Sequence, residues 1–272
     1  MKHLVCLACT LSLLSACGTG SLSKPGSQPG ASVDAGSDPG SPDADPGTID
    51  DGRVKNGLAA LYKFDEGTGA IIADSSGVAP PVDIAIPDPA AAVWIPGGGI
   101  NLVQPTILQA GQPPLKIFTA CVASNEITVE AWVKPATLDQ TSNVITYSID
   151  GNNRNFSLAQ TATQVEARLR TTNTNNNGSP ALLSAENLLT GLTVQHVVYT
   201  RDAAQAAIYV DGVKGATLQI GGNTGNWDDT YLLALGNEIG GGAPWLGEMH
   251  LAAVYCRRLS STEVQQNYAA GY

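Results

Sequence analysis

The chain is short of several things at once, and each shortage closes off a class of function. Basic side chains are scarce: 14 Lys and Arg stand against 24 Asp and Glu, a formal net charge of −10 at pH 7. A surface of that sign repels nucleic-acid phosphates. Charged residues make up only 14% and aromatics 6% of the composition. That leaves little material for long salt-bridged amphipathic helices, while plentiful Gly, Thr, Asn and Ala suit turn-rich β structure. Past the N-terminal leader the histidines are His196 and His250, each inside an alternating run where a satisfied structural imidazole is the ordinary role. There is no G-x-S-x-G elbow, phosphate loop or zinc-ligand spacing, so nucleophilic, phosphate and zinc chemistry have no foothold.

What is present begins with an address. Residues 1–17, MKHLVCLACTLSLLSAC, carry a basic start at Lys2 and an apolar run over 4–16. The run falls short of the ~20 residues a spanning helix needs and reads as a signal-peptide core, and Cys6 and Cys9 leave with it. The segment ends in Leu14-Ser15-Ala16-Cys17, which resembles a bacterial lipobox. That resemblance implies cleavage after Ala16 and acylation of Cys17; ordinary secretory cleavage near the same alanine is the alternative. With Gly18 next, the implied destination is the outer membrane or cell surface of a Gram-negative bacterium. Residues 17–52 are rich in Gly, Ser, Pro and Asp with almost nothing apolar; such a segment cannot offset its conformational entropy by burial and is predicted to be a disordered linker. As a flexible coil it would reach roughly 30 Å. The aspartates within it, Asp34, Asp38, Asp43, Asp45, Asp50 and Asp51, fit no EF-hand spacing and read as solvated charges.

Over 53–272 the period changes to two. In 195–200 Val197 and Tyr199 alternate with His196, Val198 and Thr200; 206–210 alternates again, and Asp211-Gly212 supplies a two-residue turn, so an antiparallel hairpin is predicted. Residues 127–134, ITVEAWVK, place Ile127, Val129, Ala131 and Val133 on one face and Thr128, Glu130, Trp132 and Lys134 on the other. Met249, Leu251, Ala253 and Tyr255 form a similar set, and Leu58, Ala60, Tyr62 and Phe64 a first strand. The stretch 80–114, broken by prolines and glycines, predicts short strands and long loops; 173–177 is a loop. Ser260 with Glu263 three positions on forms a capping box for a short C-terminal helix bearing Val264 and Tyr268. The fold class is all-β, a sandwich of two antiparallel sheets.

Several stretches in order, LYKFDEGTG (61–69), ADSSG (73–77), ITVEAWVKP (127–135), HVVYTRD, IYVDGVKG and PWLGEMHLAAVYCRRLSSTEV (244–264), resemble a laminin-G-like domain of the concanavalin A-like lectin/glucanase superfamily. The resemblance implies a jelly roll, frequent rim calcium, and binding rather than catalysis. It also implies that the last strand runs beside 127–133, bringing Cys256 near Cys121; a disulfide is then expected, with two buried free thiols as the alternative. Glycoside hydrolases occur in the superfamily, but their Glu, Asp, Glu strand signature is missing. The nearest pair, Glu126 and Glu130, lies about 13 Å apart along a strand, outside the ~5 to 9.5 Å that either hydrolytic geometry uses. Both are expected to face solvent.

For calcium, the richest oxygen set is Asp228, Asp229, Asn237 and Glu238, with Asp65 and Asp74 weaker; turn-forming aspartates are the alternative. For a glycan, Trp227 and Trp245 in Gly- and Asn-rich contexts could stack on sugar rings while Arg154, Asn155, Asn173 and Asn237 bond hydroxyls; tryptophans filling the sandwich and asparagines satisfying turns are the alternative. Trp94 and Trp132 read as strand residues. The function expected is a lipid-anchored, non-catalytic module for glycans or envelope and matrix components, with protein–protein contact as the second reading and a divergent glycosidase as the last.

Overall fold

Strand β7 (Ile127–Pro135) sits near the centre of the first sheet, where its apolar set Ile127, Val129, Ala131 and Val133 enters the core between the sheets. The computed structural model describes residues 51–191 and 193–272. The predicted leader, Cys17 and the predicted linker as far as residue 50 lie outside them. Sheet A runs β14 (Val213–Leu218), β13 (Ala206–Val210), β12 (Gln195–Arg201), β7, β16 (Gly247–Tyr255), β5 (Ile100–Leu102) and β4 (Ala92–Trp94), with β1 (Leu58–Tyr62) also paired to β16. Sheet B runs β11 (Leu182–Leu183), β10 (Gln164–Leu169), β9 (Asn153–Thr161), β8 (Thr141–Asp150), β15 (Leu232–Leu235), β6 (Leu108–Ala110), β3 (Ile84–Ala85) and β2 (Ile71–Ile72). Every pairing between these strands is antiparallel, and the result is the two-layered sandwich that the alternation predicts.

The hairpin closes as its turn chemistry demands. Val210 pairs with Val213 across Asp211 and Gly212, whose φ values are 50° and 74°, the left-handed backbone that Asp-Gly tolerates. The last strand departs from its predicted pattern. A bulge between Met249 and Leu251 makes His250 an extra residue, so Met249 enters the inter-sheet core while Leu251, Ala253 and Tyr255 turn to the outer face of sheet A. One inserted residue flips every later side chain.

Two helices complete the fold among the described residues. Helix α2 (Ser261–Ala270) has the capping box at Ser260 and Glu263 and packs Val264 on the outside of sheet A, against Leu61, Trp132, Val198 and Tyr255. Helix α1 (Leu115–Ser124) begins directly after the stretch predicted to be short strands and loops, with Pro114 in the N-cap position, where a missing N–H costs nothing. A disulfide joins its Cys121 to Cys256, just past β16, with Cα atoms 4.4 Å apart. Among the described residues no helix is long and apolar enough to cross a membrane.

Candidate functional site

The two outer faces of the sandwich are built differently. On sheet B the inward register takes Ile145 and Tyr147 from β8, Phe156 and Leu158 from β9, and Val165, Ala167 and Leu169 from β10 into the core. Period two then sends Asn143, Thr146, Ser157, Thr161, Glu166 and Arg168 to the other side. Asn143, Thr146, Ser148 and Ser157 are nevertheless buried. Part of their cover is the segment 236–243 that follows β15. It leaves the strand at Gly236, whose φ of 73° is left-handed, and folds back so that the Asn143 N–H donates to the Ala243 carbonyl at 3.1 Å. Asn237 braces the turn: its carbonyl oxygen accepts from the N–H groups of Glu238 (2.8 Å) and Ala243 (3.1 Å), while its amide donates to the Thr106 carbonyl at 3.0 Å.

The brace delivers Glu238 to the floor. Its carboxylate accepts from Asn143 Nδ2 at 3.0 Å, from the Ser148 hydroxyl, and from Arg154 Nη2 at 2.9 Å. Burial pushes this carboxyl above its usual pKa, against the pull of Ser148 and Arg154. Arg154 also donates to Ser157 Oγ at 3.0 Å and to the Gly151 carbonyl at 2.7 Å. Burial lowers the pKa of its guanidinium, and the neighbouring positive charge of Arg168 lowers it further. On β10, Glu166 takes Arg168 Nε on one oxygen and the Thr161 hydroxyl, at 3.1 Å, on the other. Two adjoining depressions of about 170 and 380 Å³ result, the first over Thr161, Glu166, Arg168 and Asn177, the second between Asp150, Glu238 and Gly240, with Asn143 and Arg154 lining both. Arg154 and Arg168 line this trough, the first paired with Glu238 and the second with Glu166, with Asp150 at one end and Asn143, Thr161 and Asn177 completing the lining.

The trough gathers Arg154 and Glu238 from the predicted residues and leaves the others elsewhere. Both tryptophans are corrections. Trp227 packs edge-on against Tyr147 and donates its indole N–H to the Arg170 carbonyl at 2.8 Å. Trp245 is 1% exposed and donates to Gln160 Oε1 at 2.8 Å. An indole fills the core more favourably than a loop exposes it. Asn155 is buried and clamps a turn, donating to the Asp228 carbonyl at 2.8 Å and accepting its N–H at 2.9 Å; Asn173 is exposed. The calcium set is not assembled. Asp228 spends Oδ1 on the Thr230 N–H and hydroxyl, Asp229 is exposed, and Asn237 and Glu238 are committed as described. Asp74 is held by Lys116 and by backbone N–H groups, and Asp65 is exposed. Among the described residues no group of three or more His, Cys, Asp and Glu could hold a metal.

Glu130 is a further correction. It is completely buried beneath α2, where it accepts from His196 Nε2 (2.8 Å), Asn267 Nδ2 (2.8 Å) and Arg53. Glu126 is partly buried and accepts the Arg258 N–H at 2.9 Å. His250 contacts Glu248 at 3.2 Å. Asn143, Ser148, Ser157, Glu166 and Arg168 escaped the sequence reading. The one local signal was Glu166 and Arg168 two apart in an alternating run, hence on one face of a strand.

The Laminin_G_3 model of the concanavalin A-like lectin/glucanases superfamily matches residues 110–265. No curated protein matches the chain at a significant level. Among solved structures, the Trypanosoma rangeli sialidase in complex with sialic acid superposes with a TM-score of 0.56 at 20% identity, over 78% of this chain but 33% of the sialidase. The Ruminococcus gnavus IT-sialidase CBM40 bound to α2,3-sialyllactose gives 0.52 at 20% identity, over 62% of this chain and 95% of the module. The botulinum neurotoxin serotype C1 binding domain gives 0.56 at 8% identity, over 80% of this chain and 53% of that one. The chain thus spans about a third of the sialidase and nearly all of the CBM40 module, and at these identities the likeness is one of fold. With the family match covering more than half of its length, the chain belongs to the concanavalin A-like lectin/glucanases superfamily, in its Laminin_G_3 family.

Proposed function

We propose that the trough on sheet B binds carbohydrate without catalysis, and that the domain is a recognition module carried on an exported, lipid-anchored chain. The observation that carries this reading is a pair of adjoining depressions on one sheet face, edged by a braced loop and lined by Asn143, Arg154, Thr161, Glu166, Arg168 and Glu238. Sugar hydroxyls each donate and accept, so a lining of amides and hydroxyls set among Arg and Glu side chains offers partners for both roles. Family membership supports the reading, as do the sialic acid and sialyllactose held by two of the similar structures. The site has no tryptophan platform, so recognition rests on hydrogen bonds.

The lipid anchor rests on Cys17 and its lipobox. Arg53 and Val54 bond to Asn267 on α2, over the outer face of sheet A, so the described chain starts on the side opposite the trough. A glycan array followed by calorimetry tests the binding: Asn143→Ala is expected to abolish the signal while the thermal unfolding transition persists. An array with no hits, or binding indifferent to Asn143→Ala, sinks it. For the anchor, fatty-acid labelling in a bacterial host should be lost in Cys17→Ser; labelling that survives the substitution refutes acylation there.

A further inference from the structure

Within the trough the two guanidiniums are the unusual feature. Arg154 has its Nη atoms engaged by Ser157, Gly151 and Glu238, yet its Nε is buried with no partner. Arg168 gives Nε to Glu166, and its remaining contact is Nη1 to Ser179 Oγ at 3.5 Å, the outer limit of a hydrogen bond. Its side chain is 24% exposed and lines the first depression. Each arginine therefore has a carboxylate to one side, Glu238 or Glu166, and the two arginines raise each other's electrostatic energy. Asp150 is the other charged group at the trough, at its far end. Like charges held near each other in a partly desolvated cleft are relieved by a bound anion, and there the attraction is screened less than in water. A planar carboxylate matches a guanidinium edge with two parallel hydrogen bonds, which a neutral hydroxyl does not.

We propose that Arg154 and Arg168 make this an acidic-sugar site, in which the ligand's carboxylate lies between the two guanidiniums and its hydroxyls lie along Asn143 and Thr161. The proposal rests on the carbohydrate reading and narrows it to one class of sugar, of the sialic-acid or uronic-acid type. Glu166 and Glu238 then act as positioning residues, each holding one guanidinium by one edge.

The experiment is calorimetric titration with lactose, 3′-sialyllactose and trigalacturonate against the wild-type chain, Arg168→Gln and Arg168→Lys, each checked by thermal unfolding. One charge-assisted pair corresponds to about a tenfold to hundredfold gain in affinity. At least one acidic sugar should exceed lactose by that factor, and raised salt should erode the preference. Arg168→Gln should level it, and Arg168→Lys should keep only part, since it restores charge without the fork. Which acidic sugar is preferred identifies the source of the carboxylate. Equal affinity for lactose and both acids, all abolished by Asn143→Ala, overturns the acidic-sugar assignment and leaves carbohydrate binding standing. A preference that persists in folded Arg168→Gln also overturns it, and an empty glycan array removes both readings together.

Discussion

Glu130 shows how one side chain can be misplaced by a correct pattern. The alternation of β7 puts it opposite the core, which is true, but α2 lies on that face and removes water from it. A buried carboxylate survives only when donors surround it, and here His196, Arg53 and Asn267 do so. Burial pushes its pKa up, yet the His196 hydrogen bond and the charge of Arg53 more than reverse this, and the carboxyl ends below its usual 4.5. For a depressed acid the sign is fixed: its stabilisation is complete above the ordinary carboxyl pKa and is lost as pH falls through the folded one. Glu130→Gln leaves the Arg53 guanidinium buried without a counter-charge, at a cost of about 3 to 5 kcal/mol at pH 7. Urea unfolding at pH 7 and at pH 4 and below checks both parts. The variant should be markedly weaker at neutral pH and should lose less than wild type on acidification. Equal acid sensitivity in the two proteins removes Glu130 as its source.

Strands whose partners can be inferred from their own alternation were legible: β7, β12 and β13 with the Asp211-Gly212 turn, and α2 through Ser260 and Glu263. What escaped depends on neighbours distant in the chain. The bulge at His250 is set by pairing with β7, and α1 begins at a proline that reads locally as a breaker. The trough draws its lining from β8, β9, β10 and a loop after β15, no one of which is distinctive alone. Trp227 and Trp245 sit in loop-like sequence but point inward, so composition misjudged them. The loop offers a separate test of the site. Gly236 turns the chain with φ at 73°, and a Cβ there would meet Leu102. Gly236→Ala should therefore cost about 1 to 3 kcal/mol of strain. Because the segment beyond it carries Glu238, glycan affinity should fall tenfold or more in protein that remains folded by circular dichroism. Unchanged affinity would detach segment 236–243 from the binding site.

The sandwich divides its labour by face: sheet A is closed by α2 and receives the first described residues, while sheet B is open as the trough. The disulfide belongs to the closed half. It links α1, which precedes β7, to the end of β16; these two strands pair with each other, and the cysteines it joins lie 135 residues apart in sequence. Closing so long a loop restricts the unfolded chain, and in the chain-entropy account this contributes about 4 to 5 kcal/mol. Both sulfurs are shielded in the fold, so the reductant should act slowly on native protein and quickly on unfolded protein. Comparing wild type with Cys121→Ala/Cys256→Ala separates stability from recognition. The double variant should unfold at a temperature lower by on the order of 10 °C, yet below that transition bind glycan with unaltered affinity, because none of the trough's side chains bonds to either cysteine. A variant that stays folded but no longer binds would show that the two faces are mechanically coupled through the core, and would make the cross-link part of the site rather than of its scaffold.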